Sequence, residues 1–532
     1  MLNKIMKHIR PMLDTIAEAI EYLITLEVNN SDRMIADIKE FITAINDVII
    51  KDTGKSGDSN HSNIATAVAA GEKLSEILEQ YYSSNGIEEI LTTLQEYRSA
   101  IEHIPVKYKA VFLPYYDNTW DSLESVYEAF SADPLFETEI VIIPILRNTP
   151  TGAKHVYEDF LTPQGIPNTN YNDYDFATDQ PDIVFFNNPY DGVNYPKFQT
   201  KNIKPFVQFL VYIPYYLYMH EYTHPSEMPQ VLSVRAELPG HDSADVFVVH
   251  GESFYNSFAF ASRNGKKMVA LGNPKSDYLY KRMMSNDWPR YNEWDTAVKG
   301  RTTFLLNTHY SSFFSNPHPF LVSSSMKSWL RFLFELVISD ENLALIWRPH
   351  PQMFLMLDSL VGEWKQLYQD CISMVDNCER IVLDRTSNVI SAFMYCDAVI
   401  SEYSSIMSEA VCLDKPVFMC GLETREYREN YKEYYSPEYS DTLKQTRSAD
   451  SGNLTLYNAL PCSGADSFLL ENESVDEIIY QKPLRNFIYQ IKEGIDNKGD
   501  LRRAYRKQLL NNYEGSCGKA ICDYMKSKVI EE

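Results

Sequence analysis

A chain of 532 residues is too long for one ordinary domain, and its 49 Lys+Arg against 73 Asp+Glu leave a net charge of −24. That balance excludes general nucleic-acid binding, which needs a basic face, while 44% hydrophobic and 23% charged residues are those of a globular protein with large cores. The cysteines, at 371, 378, 396, 412, 420, 462, 517 and 522, form no C-x-x-C pair, which argues against a disulfide framework or zinc ribbon and predicts a reducing cytoplasm. No run approaches the roughly 18 apolar residues of a membrane span, and Met1-Leu2-Asn3-Lys4 does not open a signal peptide. The expected location is cytoplasmic, with any contact at the inner membrane face peripheral.

Residues 1–105 read as helical. Ile5, Ile9, Met12, Leu13, Ile16 and Ile20 recur at helical spacing. A second helix is expected over about 31–50 and two more after the polar stretch Asp52–Asn63. That stretch holds Gly54-Lys55-Ser56, but a phosphate loop needs a glycine where Ile49 stands and a preceding strand, so it reads as an interhelical loop. Lys4, Lys7, His8 and Arg10 form a basic patch beside Ile5 and Ile9, suited either to an anionic membrane or to plain solvation.

The pattern changes at residue 109. Ala110–Leu113 is a buried-strand run and Trp120–Phe130 a helix; Glu139–Ile145, Asp182–Phe186, Phe206–Ile213, Ala244–Val249 and Lys267–Leu271 continue as strands. A polar, Trp-containing stretch at about 285–300 separates these from a second series. There Thr302–Asn307, Leu343–Trp347, Ile381–Leu383, Ala398–Ile400 and Pro416–Met419 are strands, with helices at Ser323–Ile338 and Ser405–Cys412. The tail, about 475–532, is helical. Strands alternating with helices imply parallel sheets, and two such halves facing a cleft are the layout of a GT-B enzyme. Ligands of open α/β sheets bind at the carboxyl ends of the strands.

Two strand ends stand out. Leu345-Ile346-Trp347-Arg348-Pro349-His350-Pro351 runs from a buried strand straight into an Arg and a His. A guanidinium is a planar fork suited to phosphate and an imidazole a donor or proton carrier; the plainer reading is a rigid turn with a solvated His. In Asp397–Ala410 a strand ends in Ser401-Glu402-Tyr403 and a helix starts near Ser404-Ser405. Backbone N–H groups and hydroxyls at a helix start suit an anion, or Ser404 is simply an N-cap.

Taken in order, Arg348-Pro349-His350-Pro351, Ser401-Glu402-Tyr403-Ser404-Ser405 and Lys415-Pro416-Val417 resemble the CDP-glycerol glycerophosphotransferase family of teichoic acid polymerases. Phe112-Leu113-Pro114-Tyr115, Trp120–Ser125, Asn188-Pro189-Tyr190-Asp191, Val211–Tyr215 and Leu271-Gly272-Asn273-Pro274-Lys275-Ser276-Asp277 are similar to one branch of it, so the resemblance spans about 106–530. Beyond the helical region at 1–105, it implies an acceptor domain at 106–295, a donor-nucleotide domain at 296–470 and closing helices at 471–532. It also implies a CDP-glycerol-type donor, gripped by Arg348, His350, Ser401, Glu402, Ser404 and Ser405, and a lipid-linked or polymer acceptor, with no cofactor or metal. Where better-known members carry a W-H-G-T-P turn with a catalytic His, this chain has Tyr212-Ile213-Pro214-Tyr215. The candidates for the base are Asp191 and His220, ahead of His224 and His250, with His350 as a further catalytic group. Sugar transfer or epimerisation of a UDP-sugar shares the fold, and a non-catalytic scaffold fits the absent turn.

Three other signals read as incidental. His220-Glu221-Tyr222-Thr223-His224 matches H-E-x-x-H, but Pro225 and Pro229 suit a loop rather than the helix a zinc protease needs. Asp173-Tyr174-Asp175 resembles a metal-binding D-x-D in a Tyr/Asn/Asp-rich loop. His309 and His318 lie near strand ends, where a lone His is more often structural.

Overall fold

Parallel strands covered on both faces must be apolar along their whole length, and the buried runs Val111-Phe112-Leu113 and Leu343–Trp347 meet that demand. The computed structural model describes residues 2–25, 32–53, 61–80, 86–115, 117–149, 152–156, 166–217, 235–252, 254–255, 259, 262–309, 326–356, 362–386, 388–402, 404–420 and 481–531.

In chain order the strands are β1 Tyr108–Leu113, β2 Phe136–Ile142, β3 Ile145–Thr149, β4 Gly152–Val156, β5 Thr169–Asn170, β6 Ile183–Phe186, β7 Phe209–Tyr212, β8 Val246–Val249 and β9 Met268–Ala270. The second series is β10 Thr302–Thr308, β11 Leu343–Pro349, β12 Ile381–Leu383, β13 Ala398–Ser401 and β14 Val417–Met419. The first sheet runs β5-β2-β1-β6-β7-β8-β9 and the second β12-β11-β10-β13-β14. Every pairing within them is parallel. Each sheet has an apolar cluster on either face, around Val184 and Phe185 in the first and Leu345 and Ile346 in the second. Two such α/β domains make the GT-B fold. In the second sheet the chain steps outward from β10 to β11 and β12, then returns to β13 on the other side, so the switch point lies between β10 and β13.

Several expectations shift. The strand placed at Glu139–Ile145 begins earlier, because Tyr108 of β1 pairs with Phe136, and it stops before Pro144, which has no N–H for the ladder. Beyond it, β3 and β4 form an antiparallel hairpin that the residue pattern did not suggest. Trp120–Phe130 is a 3₁₀ turn, Asp117–Ser122, followed by the helix Glu124–Ala132. The polar stretch near 285–300 holds the helix Asn292–Val298, with Trp294 buried in the second domain's core.

Among the described residues the amino-terminal region forms four helices: α1 Asn3–Thr25, α2 Asp32–Thr53, α3 His61–Glu79 and α4 Gly86–Glu102. Met6, Ile9, Leu13, Ile16, Ile20 and Leu23 of α1 meet Ile38, Ile42 and Ile45 of α2 and Ile90, Tyr97 and Ile101 of α4 in one core. The bundle docks at the amino ends of β1, β6 and β7, opposite the ends that carry ligand sites. Asn3 Nδ2 donates to Asp182 Oδ1 at 2.7 Å, Lys4 lies 3.4 Å from Asp179 Oδ1, and Lys7 donates to Gln208 and lies 3.5 Å from Asp182. Two of the four basic residues of the amino-terminal patch therefore face the first domain. A chain starting near residue 105 is expected to fold and bind nucleotide, checked by circular dichroism and calorimetry. Folding with loss of nucleotide affinity would make the bundle part of the site. No described helix is long and apolar enough to cross a membrane.

The last helices tie the domains together. Gln481–Lys492 packs Leu484, Phe487 and Ile488 on the second sheet, and Gly499–Leu509 brings Tyr505 to its other face. Cys517–Glu531 returns to the first domain, where Ile521, Cys522, Met525 and Val529 are buried.

Candidate functional site

The carboxyl end of the second sheet gathers the chemistry. β11 is buried from Leu343 to Trp347 and emerges at Arg348; Pro349 closes the strand and Pro351 opens the helix Pro351–Met356, a position where its missing N–H costs nothing. His350 sits at the joint. Its N–H donates to Thr308 O at 2.8 Å, and its carbonyl accepts the N–H of Met353 at 2.8 Å, so the backbone fixes where its ring projects.

Register brings a second histidine alongside. Thr308 pairs with Pro349, which places His309 next to His350, ring centroids 4.8 Å apart and tilted at 63°. Burial, with the Arg348 charge, pushes His350 down to about 4; burial, with His350, pushes His309 down to about 3. Both rings are neutral at pH 7 and offer N–H donors and lone pairs rather than full charges.

Arg348 is held from the side. Its Nη1 donates to Asp384 Oδ2 at 2.6 Å and to Thr386 Oγ1 at 3.2 Å, the Asp384 side chain being fully buried at the end of β12. Thr386 in turn donates to Asp384 Oδ1 at 2.7 Å. A guanidinium anchored this way keeps its orientation. On the far side of β10, Ser401 Oγ donates to Asn307 Oδ1 at 3.1 Å, and Asn307 Nδ2 donates to Arg348 O at 2.9 Å, crossing all three strand ends. Glu402, buried, accepts the N–H of His309 at 2.9 Å. Ser404 is the N-cap of the helix Ser405–Cys412, its Oγ accepting from Ile406 N at 3.3 Å. Arg348, His350, Ser401, Glu402, Ser404 and Ser405 thus converge around the switch point.

The structure adds His309 and Asp384 to that set. His309 is visible in sequence as a residue at a strand end; Asp384 has the weaker signal of an acid directly after the short strand Ile381–Leu383.

The candidate bases fare differently. Asp191 is buried and receives both the N–H and the Oγ1 of Thr200, at 3.0 and 2.6 Å. His250 is fully enclosed, stacked on Phe254, and burial pushes it down to about 3. His220 and His224, with the whole H-E-x-x-H segment, lie outside the described residues, as do His318 and Gly54-Lys55-Ser56. Asp175 of the D-x-D motif caps the helix Phe176–Asp179 by accepting from Thr178 N, and Tyr174 donates to Asp179, so both serve the loop itself. Among the described residues no cluster of His, Cys, Asp and Glu is arranged to hold a metal ion.

The two α/β domains have the GT-B layout, with an anion-suited cluster of side chains at the switch point of the second sheet. Residues 225–450 match the model of the CDP-Glycerol:Poly(glycerophosphate) glycerophosphotransferase family, the family that the chain's motifs resemble. The match takes in Arg348–Pro351, Ser401–Ser405 and Leu271–Asp277, while the motifs before residue 225 lie outside it. No curated protein sequence matches the chain. Among solved structures, a Listeria monocytogenes protein described as a UDP-N-acetylglucosamine 2-epimerase is similar at TM-score 0.49 and 13% identity, over 80% of this chain and 98% of that one. A variant of the wall teichoic acid polymerase TagF with CDPG is similar at TM-score 0.47 and 13% identity, over 86% and 98%. S. aureus MnaA with UDP is similar at TM-score 0.45 and 12% identity, over 79% and 97%.

Proposed function

We propose that the chain transfers a glycerol-phosphate or related polyol-phosphate unit from a CDP-linked donor to a hydroxyl of a cell-surface polymer or its lipid-linked precursor, releasing CMP. The observation that carries this reading is the convergence of Arg348, His350, His309 and the Ser404–Ser405 helix start at one switch point, within the stretch that the family model matches. In the proposed step the acceptor oxygen bonds to the donor's β-phosphorus. The bond from that phosphorus to the bridging oxygen breaks, and CMP leaves with the electron pair. Such a step needs positioning and charge stabilisation more than covalent catalysis.

Arg348 supplies the fixed positive charge, and the helix start supplies N–H groups and hydroxyls. The two neutral imidazoles donate hydrogen bonds to the diphosphate, whose negative charge opposes the downward push that burial gives both rings. Ser401 and Glu402 order the strand ends beneath. The acceptor's proton goes to a base, for which Asp191, whose two oxygens accept from Thr200, and His220 are the candidates.

Thermal shift with CDP-glycerol, CDP-ribitol and UDP-N-acetylglucosamine, followed by identification of the released nucleotide, tests the reading. A ligand that binds only the folded state raises the melting temperature, by an amount that grows with the ratio of its concentration to Kd. Stabilisation by a CDP-polyol with CMP release is expected. Turnover of UDP-linked donors alone would make it a sugar-nucleotide enzyme, and binding without turnover across several acceptors would make it a scaffold.

A further inference from the structure

Lys275 occupies an unusual place. It lies in the first turn of the helix Pro274–Ser285, which leads from the last strand of the first sheet toward the second domain. Its Nζ is 3.3 Å from Asp121 Oδ2 and 3.1 Å from Glu409 Oε1, and the three side chains are 12%, 7% and 2% exposed. Asp121 belongs to the 3₁₀ turn after β1, at the carboxyl end of the first sheet. Glu409 belongs to the helix Ser405–Cys412, whose start forms part of the candidate site. One ammonium thus joins the first domain, the connecting helix and the anion-facing helix of the second domain.

The charges do not balance. Two carboxylates share one ammonium, and Asp121 Oδ1 and Glu409 Oε2 are buried with no hydrogen-bond partner among the described residues. Burying ions this way is costly, and a well-packed apolar contact would hold the surfaces together at least as well. What a three-centre ion contact supplies that an apolar one does not is direction: it is satisfied at one relative placement of its three segments. Neighbouring contacts at the same junction are also specific, with Asn273 Nδ2 donating to the carbonyls of Pro214 and Tyr216, and Asn388 Nδ2 donating to Tyr278 Oη.

We infer that Lys275 is a positioning residue that, by holding Asp121 and Glu409 together, sets the donor-side helix Ser405–Cys412 against the carboxyl end of the first sheet. The catalytic consequence rests on the reading given under the proposed function; the geometric one does not. Acid weakens the contact by protonating Asp121, which burial first, and Glu409 further, push up to about 6 against the opposing pull of Lys275. Glu124 adds to that rise, and Tyr278 also faces Asp121. Because the folded value lies above the unfolded one of about 3.9, the folded chain holds an extra proton between those values. Stability from this group therefore falls as pH rises from about 4 to 6.

The experiment uses the full chain with Lys275→Met, Lys275→Arg and the charge-free triple variant Asp121→Asn/Lys275→Met/Glu409→Gln, which keeps the test open if Lys275→Met alone fails to fold. Melting temperature, affinity for CMP and CDP-glycerol, turnover and small-angle X-ray scattering are read together. The triple variant is expected to fold, to keep its CMP affinity and to scatter as a different interdomain arrangement. Its kcat should fall roughly tenfold to a hundredfold, as for a small misplacement of reacting groups, and Lys275→Arg should restore most of both losses. Asp121→Asn should remove this group's downward contribution between about pH 4 and 6, read as the difference between the wild-type and variant stability curves. A folded triple variant with wild-type scattering overturns the inference. A change in scattering with no change in turnover confirms the geometric role and removes the catalytic one, and a wild type that turns over no donor leaves the scattering comparison to decide.

Discussion

His350→Ala is expected to cut CMP release from CDP-glycerol roughly tenfold to a hundredfold while leaving the melting temperature nearly unchanged, since a charge-assisted phosphate contact is worth about 1.5–3 kcal/mol. The turn should survive because it is held by backbone groups: the His350 N–H on Thr308 and its carbonyl under Met353 N–H. Ser404→Ala should lose donor use similarly but also about 1 kcal/mol of stability, because its hydroxyl caps the helix Ser405–Cys412. Arg348→Lys should be at least as harmful as His350→Ala. An ammonium cannot hold Asp384 and Thr386 while offering a planar fork to phosphate. Single-turnover CMP release and calorimetric Kd for CDP-glycerol decide the matter. Full release by both His350→Ala and Ser404→Ala would sink the donor assignment.

What could be read before the structure, and what could not, follows from how local each signal is. The runs Ala110–Leu113 and Leu343–Trp347 announce buried parallel strands because each residue must be apolar, whatever its partner. The turn at Arg348–Pro351 is equally local, its two prolines fixing a strand end and a helix start within four residues. The helix around Trp294 is not legible for the opposite reason: its stretch is polar, and what stabilises it is tertiary contact, with Trp294 reaching the second domain's core. Phe136–Thr138 join β2 only because β1 lies alongside to pair with them.

The site divides the same way. Arg348, His350 and Ser404 stand in short motifs that carry their own chemistry. The value of His309 and Asp384 comes from register: Thr308 opposite Pro349 sets the two imidazoles together, and Trp347 opposite Leu383 sets Asp384 beside Arg348. No spacing along the chain encodes that pairing. Lys275, Asp121 and Glu409 are farther apart still, and their meeting depends on how two domains dock.

The largest effect on stability is expected from Asp277→Ala. Asp277 is buried on the helix Pro274–Ser285, and its two oxygens accept the backbone N–H groups of Cys517 at 3.1 Å and Gly518 at 2.8 Å, where the last helix begins. That helix carries the chain back from the second domain to the first, and it sits so close that a Cβ on Gly518 would lie 2.2 Å from the Ser125 carbonyl oxygen. Any water that took the carboxylate's place would bring no charge to the two N–H groups. Two charge-assisted bonds at about 1.5–3 kcal/mol each put the loss at roughly 3–6 kcal/mol. At about 2–4 °C per kcal/mol for a large domain, the main calorimetric transition should fall by roughly 10 °C. Asp277→Asn, which keeps one oxygen acceptor, should fall by less. Asp523→Ala, an exposed partner of Lys519 on the same helix, should change little because surface pairs contribute about 0–1 kcal/mol. If Asp277→Ala melts within about 2 °C of the wild type, the return helix is anchored by its apolar face alone.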